Sequence, residues 1–147
     1  MADFNFLQYC IPCDAWCCKG EEPYASKQEL IKLGVEKIIQ KEDSSCMFLQ
    51  NGKCSVYYDR PFECRIFPFD IKDIENKLYW IIWDICPASP KLEHDISITE
   101  FERDLSRKYS IEYIKYYVEY HKTNQPEKYD NISYTLLREV RWSIDNN

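Results

Sequence analysis

The sequence predicts a small, cysteine-rich α+β protein with short β-hairpins and packed C-terminal helices. Three observations support this class: eight cysteines in 147 residues, turn signals between short apolar runs, and a long stretch of helical periodicity in the last third of the chain. A chain of this length suits one domain and buries roughly 68–70% of its unfolded surface. We expect a cysteine-rich region over residues 1–96 and a helical extension over residues 97–147 that packs on it, together forming one structural domain.

The first third of the chain predicts a loop followed by helix. Residues 9–24 hold four cysteines together with two prolines and a glycine, which is typical of a loop shaped by its cysteines. Ser26 and Glu29 form a capping box, so a helix is expected to begin there and to stop at Gly34. A second short helical stretch is predicted to run to Gln40.

A hairpin and a short helix are predicted next. Asn51 and Gly52 separate two short strand-like runs, and this pair suits a type I′ turn because both central residues of that turn need positive φ. Pro61 is favourable at the first position of a helix, so a helix is predicted over residues 62–66.

The remaining elements are a second hairpin and two helices. Residues 69–74 and 77–83 are strand-like runs on either side of a polar Glu-Asn pair, which indicates a hairpin. A further capping box beginning at Thr99 predicts a long helix over residues 99–121. A last helix is predicted over residues 133–142, which contribute no cysteine.

Composition and charge exclude several function classes. The net charge of −6 argues against general nucleic-acid binding, which needs a basic surface. The start of the chain lacks the features of a secretory signal, and the longest apolar run, residues 78–83, is too short to span a bilayer. We therefore expect a cytoplasmic protein with no membrane partner. His94 and His121 lie in polar surroundings and are expected on solvated faces.

The eight cysteines are the candidate metal ligands. They are Cys10, Cys13, Cys17, Cys18, Cys46, Cys54, Cys64 and Cys86. A Cys-x-x-Cys knuckle turns two sulfurs toward one centre, and soft thiolates select zinc, Cu(I) or iron–sulfur chemistry. Neighbouring side chains diverge, so the adjacent cysteine pair fits two sites or two irons of one cluster better than one ion. Structural disulfides and buried thiols are the competing interpretation, which reduced cytosolic conditions disfavour.

Two arginines near the cysteines are candidate cofactor-binding residues. Arg60 and Arg65 are expected to offset thiolate charge and to donate hydrogen bonds to sulfur, which tunes a metal centre. The alternative is structural: Arg60 would belong to a helix start, and Arg65 would pair with a carboxylate such as Glu63 or Asp70.

Four strings of residues carry a resemblance to a known family. They are Cys10-Ile11-Pro12-Cys13-Asp14-Ala15-Trp16-Cys17-Cys18, Cys46-x-x-Leu49, Gly52-Lys53-Cys54-Ser55-Val56-Tyr57 and Arg60-Pro61-x-x-Cys64-Arg65-x-Phe67-Pro68. Over about residues 10–87 the chain resembles the CxxCxxCC (YkgJ-like) family, a zinc- or iron-chelating domain. The chain has three residues before the Cys-Cys pair where the family's name has two. The family's domain also occurs in flagellin lysine N-methylases, where an iron–sulfur cluster is implicated.

These observations lead to an expected function. The leading interpretation is an iron–sulfur protein, with a 4Fe–4S cluster, that carries electrons or serves as an accessory or redox module for a protein partner. The alternative is a structural zinc-binding module for protein interaction. A place in a protein lysine methylation system is the weakest interpretation, because only the family resemblance implies it. No nucleotide-binding or hydrolase motif occurs, so the catalytic residues, if any, are unknown.

Overall fold

The computed structural model describes residues 6, 9, 23–125 and 129–142. The chain divides into two compact units. We call residues Cys13–Phe67 the cysteine unit, and Met1–Pro12 with Pro68–Asn147 the sheet unit. The described elements are α-helices and two small antiparallel sheets, so the predicted α+β class is confirmed. The expected functional division at residue 96 stays a prediction.

The first helix of the cysteine unit is α1, Lys27–Leu33. Its predicted capping box is present: Ser26 Oγ accepts from the Glu29 N–H at 3.2 Å, and the Glu29 carboxylate accepts from the Ser26 N–H at 3.0 Å. The helix ends at Gly34, whose φ of 75° is left-handed and favours glycine. The helix capping motif therefore defines both ends of α1, as predicted.

The predicted helical stretch that runs on to Gln40 is wrong. Gln40 instead forms an isolated antiparallel bridge with Cys46, and the Met47 N–H donates to the Ile39 carbonyl at 2.9 Å. The left-handed cap at Gly34 ends the helix, and the following residues satisfy their backbone groups by pairing with a later segment of the chain.

The first predicted hairpin is confirmed, with shorter strands than expected. Strands β1, Leu49–Gln50, and β2, Lys53–Cys54, pair antiparallel. The turn residues have φ of 52° at Asn51 and 76° at Gly52, as a type I′ turn requires. The turn chemistry therefore fixes this hairpin locally.

A 3₁₀ helix, Tyr57–Asp59, and α2, Phe62–Ile66, complete the cysteine unit. The predicted bounds of α2 are confirmed, although Pro61 is the residue before the helix rather than its first residue. The Phe62 N–H, one of the helix donors that lack an intrahelical acceptor, donates to Glu29 at 2.7 Å. The start of α2 is therefore tied to α1.

A three-stranded antiparallel sheet forms the centre of the sheet unit. Its strands are β3, Phe69–Ile74, β4, Lys77–Trp83, and β5, Tyr134–Glu139, in the order β3-β4-β5. The predicted second hairpin is confirmed with its bounds, and both of its turn residues, Glu75 and Asn76, have positive φ. The central strand β4 supplies the most deeply buried residues of the sheet.

The predicted last helix over residues 133–142 is wrong, because this segment forms β5. Strand β5 pairs with β4 and gives the backbone of that buried strand its second partner. A six-residue apolar pattern does not separate a strand from a helix segment, and tertiary pairing decided the outcome here.

The single predicted helix over residues 99–121 is also wrong, because two helices replace it. They are α4, Ile98–Ser106, and α5, Ile111–Asn124, and a third helix, α3, Ser89–Asp95, precedes them. Side-chain caps at Ser97 and Ser110 open α4 and α5. Serine at an N-cap competes with a continuous helix by accepting a backbone N–H, which explains the break before α5.

An aromatic core holds the sheet unit together. Phe101 on α4 packs against Phe6, Phe69 and Trp80, with ring centroids 5.5–5.9 Å apart. Such pairs contribute about 0.5–1.5 kcal/mol each beyond the burial of their area. Among the described residues, every helix is too short or too polar to span a lipid bilayer.

Candidate metal centre

The predicted ligands fall in different parts of the chain. Cys10, Cys13, Cys17 and Cys18 lie outside the described residues, and so does most of the predicted loop over residues 9–24. Cys46, Cys54 and Cys64 belong to the cysteine unit, whereas Cys86 belongs to the sheet unit.

Cys46 has the best-defined environment of the described cysteines. It is 9% exposed and forms an apolar cluster with Ile38 and Leu49. Its Sγ accepts a hydrogen bond from the Phe48 N–H at 3.5 Å. A backbone N–H directed at sulfur is the kind of contact that supports a metal-bound cysteine. The Gln40 bridge fixes the backbone at this position.

Cys54 lies on β2, where the hairpin register places it opposite Leu49. The Ser55 N–H donates to the Phe48 carbonyl at 2.8 Å, which extends the pairing beyond the strand ends. The hairpin therefore holds the segments that carry Cys46 and Cys54 side by side. Cys54 is half-buried.

Cys64 lies in the first turn of a helix, and Cys86 lies three residues before one. Cys64 is half-buried in the first turn of α2, whose entry Glu29 fixes through the Phe62 N–H. Cys86 is 8% exposed and follows β4, and its carbonyl accepts from the Ser89 N–H at 3.0 Å as α3 begins. Each position is held by backbone hydrogen bonds within its own unit.

The two candidate arginines have different surroundings. Arg60 is buried; its Nη1 donates to the Tyr57 carbonyl at 2.7 Å, and its Cζ lies 3.5 Å from the centroid of the Tyr57 ring. Arg65 is half-buried, and its Nη2 donates to the carbonyls of Tyr58 and Arg60 at 3.2 and 3.3 Å. Both side chains therefore shape the segment that leads into α2.

The carboxylates considered as partners of Arg65 have other contacts. Glu63 is buried and accepts from the Tyr24 N–H. Asp70 accepts from Trp83 Nε1 and from the Tyr117 hydroxyl, both at 2.9 Å. The roles predicted for Arg60 and Arg65 at the metal centre stay predictions.

The donor set fits a soft metal. Thiols are the ligands that zinc and iron–sulfur clusters take, and Cys46 already receives an N–H···S hydrogen bond. Within residues 23–125 and 129–142, together with residues 6 and 9, no group of three or more His, Cys, Asp or Glu is arranged to hold an ion. The knuckle itself lies outside that part of the chain. His94 and His121 bond locally, to Asp95 and to the Tyr117 carbonyl.

Two features of this site carry no clear sequence signal. The second carboxylate oxygen of Glu29 caps α2, a role that the capping box of α1 does not reveal. The N–H···S bond at Cys46 depends on a local turn that only the folded bridge to Gln40 defines. The Cys-x-Phe spacing alone is too common to predict it.

Comparison with known proteins gives one match. The family model described as "CxxCxxCC: Putative zinc- or iron-chelating domain" matches residues 9–87. No curated protein and no solved structure matches the chain significantly. The matched segment contains all eight cysteines.

Proposed function

Since the chain belongs to the CxxCxxCC family, whose model covers more than half of it, we propose that it is an iron–sulfur protein. The cysteine thiolates would hold the cluster, with 4Fe–4S as the form we favour. When bound, the cluster supplies one-electron redox chemistry. We propose that the protein uses this to carry electrons or to serve as an accessory redox module for a partner enzyme in the cytoplasm.

The main structural support for the proposal is the environment of Cys46. A cysteine that is 9% exposed, lies among apolar side chains and accepts the Phe48 N–H at its sulfur is suited to holding a cluster. Hydrogen bonds to sulfur and low exposure are two of the factors that set a cluster's potential. Cys54 and Cys64 are half-buried in the same unit and are the described thiols that we expect to act with it.

Structural zinc is the second candidate, because the family is named for zinc as well as iron. Zinc is also satisfied by four thiolates, and it would stabilise the cysteine unit without redox chemistry. The zinc candidate implies an interaction module whose partner is a protein.

Purification without oxygen separates the candidates. The cluster predicts a brown protein with broad visible charge-transfer absorption, and iron and acid-labile sulfide in equal amounts. Zinc has a filled d shell and gives no colour. A colourless protein with stoichiometric zinc would therefore contradict the iron–sulfur cluster but support a metal site built from these cysteines. Protein that binds neither metal under reducing conditions contradicts both candidates.

The variant Cys46→Ser tests the carrying observation. It keeps the size of the side chain and removes the thiolate, so we expect it to lower metal content. Ser55→Ala, on the same hairpin, is the matched control and should keep the content of the wild type.

A further inference from the structure

We infer that Arg60 is the resident counter-cation of the metal–thiolate centre, and that its charge raises the affinity of the cysteines for metal. The inference rests on the proposed role of the cysteines as ligands, but it holds for zinc and for a cluster alike. Arg60 was one of two candidates in the sequence, and it is the more deeply buried of the two.

The first observation is a buried donor. Arg60 is only 6% exposed. Its Nη1 donates to the Tyr57 carbonyl, but its Nε is shielded from solvent and has no hydrogen-bond partner within the described residues. Buried N–H groups in folded proteins are almost always paired, so this donor is available to an anion bound nearby.

The second observation is an uncompensated charge. Within the part of the chain that the structure describes, Arg60 forms no ion pair. The carboxylates of the cysteine unit that could have served are engaged elsewhere: Glu29 with Ser26 and Phe62, Asp59 with Lys32 at 3.2 Å, and Glu63 with Tyr24. A guanidinium cannot lose its proton inside a protein, and a buried charge needs a counter-charge.

Apart from carboxylates, the anionic groups of the cysteine unit are its cysteine thiolates. Arg60 lies between Cys54 and Cys64 in the chain, and both belong to the same compact unit. A centre with four thiolates on a divalent ion carries net negative charge, so a nearby cation favours its assembly. The Tyr57 carbonyl and ring hold the guanidinium in place, which reduces the entropy lost when Nε meets a sulfur.

Other cations near the cysteines are less suited to this role. The Nε of Arg65 is also shielded from solvent, but Arg65 is only half-buried and its Nη2 donates to the carbonyls of Tyr58 and Arg60. Lys53 precedes Cys54 directly but is exposed, and solvent screens its charge. Lys53 is therefore a matched control, since Lys53→Gln removes the same charge beside a cysteine without touching a buried group.

Carboxylates outside the described residues are the competing partners. Asp14, Glu21 and Glu22 belong to the same unit. If one of them compensates Arg60, removing the arginine leaves the thiolates and their affinity for metal unchanged.

The test is the zinc dissociation constant, measured by chelator competition under reducing conditions on the full chain. We expect Arg60→Gln to weaken zinc binding by about 10- to 100-fold, the usual effect of losing a group that supports metal ligands. Arg60→Lys keeps the charge and should recover most of the affinity. Lys53→Gln should match the wild type. Circular dichroism of each variant, with and without zinc, reports whether the fold is kept.

The outcomes separate the inference from its premise. Wild-type affinity in Arg60→Gln overturns the inference, and so does equal weakening in the glutamine and lysine variants, which would assign Arg60 to loop structure alone. If Arg60→Gln fails to fold, Arg60→Lys decides by itself: near-wild-type affinity supports the charge, and weakened affinity overturns it. A wild-type chain that binds no zinc and no iron refutes the proposed function instead.

Discussion

At the scale of single residues, Glu29 connects α1 with α2, the helix that carries the predicted ligand Cys64. One of its carboxylate oxygens completes the capping box of α1 with Ser26, and the other accepts the Phe62 N–H that opens α2. Cys64 lies two residues further along α2. The capping residue Glu29 therefore also fixes the start of the helix that carries a predicted ligand, 35 residues later in the chain.

We expect Glu29→Ala to destabilise the metal-loaded protein by about 1–3 kcal/mol, because two backbone donors lose a charged acceptor. Glu36→Ala, at an exposed position just beyond α1, should change stability by less than about 0.5 kcal/mol. Urea unfolding at one fixed metal concentration measures both. Equal effects of the two substitutions would show that the contact with α2 contributes nothing.

Some residue roles can be predicted from the sequence, and others cannot. The spacing of the cysteines was enough to predict a ligand set, because thiolate chemistry is local to each side chain. The burial of Glu102 was not predictable. Its carboxylate accepts from Trp80 Nε1, the Arg141 N–H and Arg138 Nη2, and these partners lie 22 to 39 residues away in the chain. From the sequence alone, Glu102 was interpreted as the last residue of a capping box that begins at Thr99. Its partners in the fold are distant in the chain and therefore give no local signal.

At the scale of secondary-structure elements, local turn chemistry separates the correct predictions from the wrong ones. Both hairpins were correct since Asn51-Gly52 and Glu75-Asn76 adopt positive φ within a few bonds of the strands they join. The break before α5 and the strand β5 were missed, because each depends on competition between alternatives of similar local energy. Strand β5 exists only because β4 has an open edge.

The corrected start of α4 predicts a difference between two neighbouring substitutions. Ser97 Oγ accepts the Glu100 N–H at 3.3 Å, so Ser97→Ala should lower stability by about 1 kcal/mol. Thr99, which the sequence suggested as the cap, lies inside the helix and is exposed. Thr99→Ala should be neutral or slightly stabilising, since alanine has the higher helix propensity. Thermal unfolding compares the stabilities of the two variants. A larger loss of stability in Thr99→Ala than in Ser97→Ala would support Thr99 as the cap.

The packing of α5 on β3 predicts a pH dependence. A hydrogen bond from Lys122, 3.0 Å away, lowers the pKa of Asp73 below its ordinary value, and the same contact raises the pKa of Lys122. A depressed pKa of Asp73 in the folded chain means that its contribution to stability is present above the unfolded pKa. That contribution is lost as the pH falls through the folded value.

Lys122→Met should therefore return the pKa of Asp73 toward its ordinary value and weaken this part of the acid dependence. Titration of the carboxyl carbon by NMR measures the pKa directly. Lys115→Met, at an exposed position on the same helix, is the control and should leave the pKa of Asp73 unchanged. An unmoved pKa in Lys122→Met would show that the contact does not persist in solution.

At the scale of the whole molecule, the cysteine unit is the smaller of the two units and the one that we expect to depend on metal. The sheet unit has fully buried aromatic and aliphatic side chains, among them Trp80, Phe101 and Tyr117. The cysteine unit buries Phe62 and Ile66. It also has an apolar cluster of Ile38, Cys46 and Leu49, one of whose three buried members is itself a predicted ligand. Below about 70–80 residues a single core rarely supplies more than about 3–5 kcal/mol, and small units therefore rely on metals or disulfides.

This difference predicts how the protein responds to metal removal. Metal binding and folding are coupled when ligands come from distant segments, and the predicted ligands of the cysteine unit lie in several segments, among them the hairpin and α2. Chelation under reducing conditions should therefore abolish the amide hydrogen-exchange protection of α1 and α2. The strands β3 and β4 should keep theirs, because their hydrogen bonds and aromatic core need no thiolate. Exchange measured by mass spectrometry on metal-loaded and stripped protein resolves both units in one experiment.

Cys86 supplies an internal comparison. If Cys86 also binds metal, the loss of protection extends to the start of α3. If Cys86 has only a structural role, that segment stays protected. Full retention of protection in α1 and α2 would mean that the metal lies outside the folding of this unit.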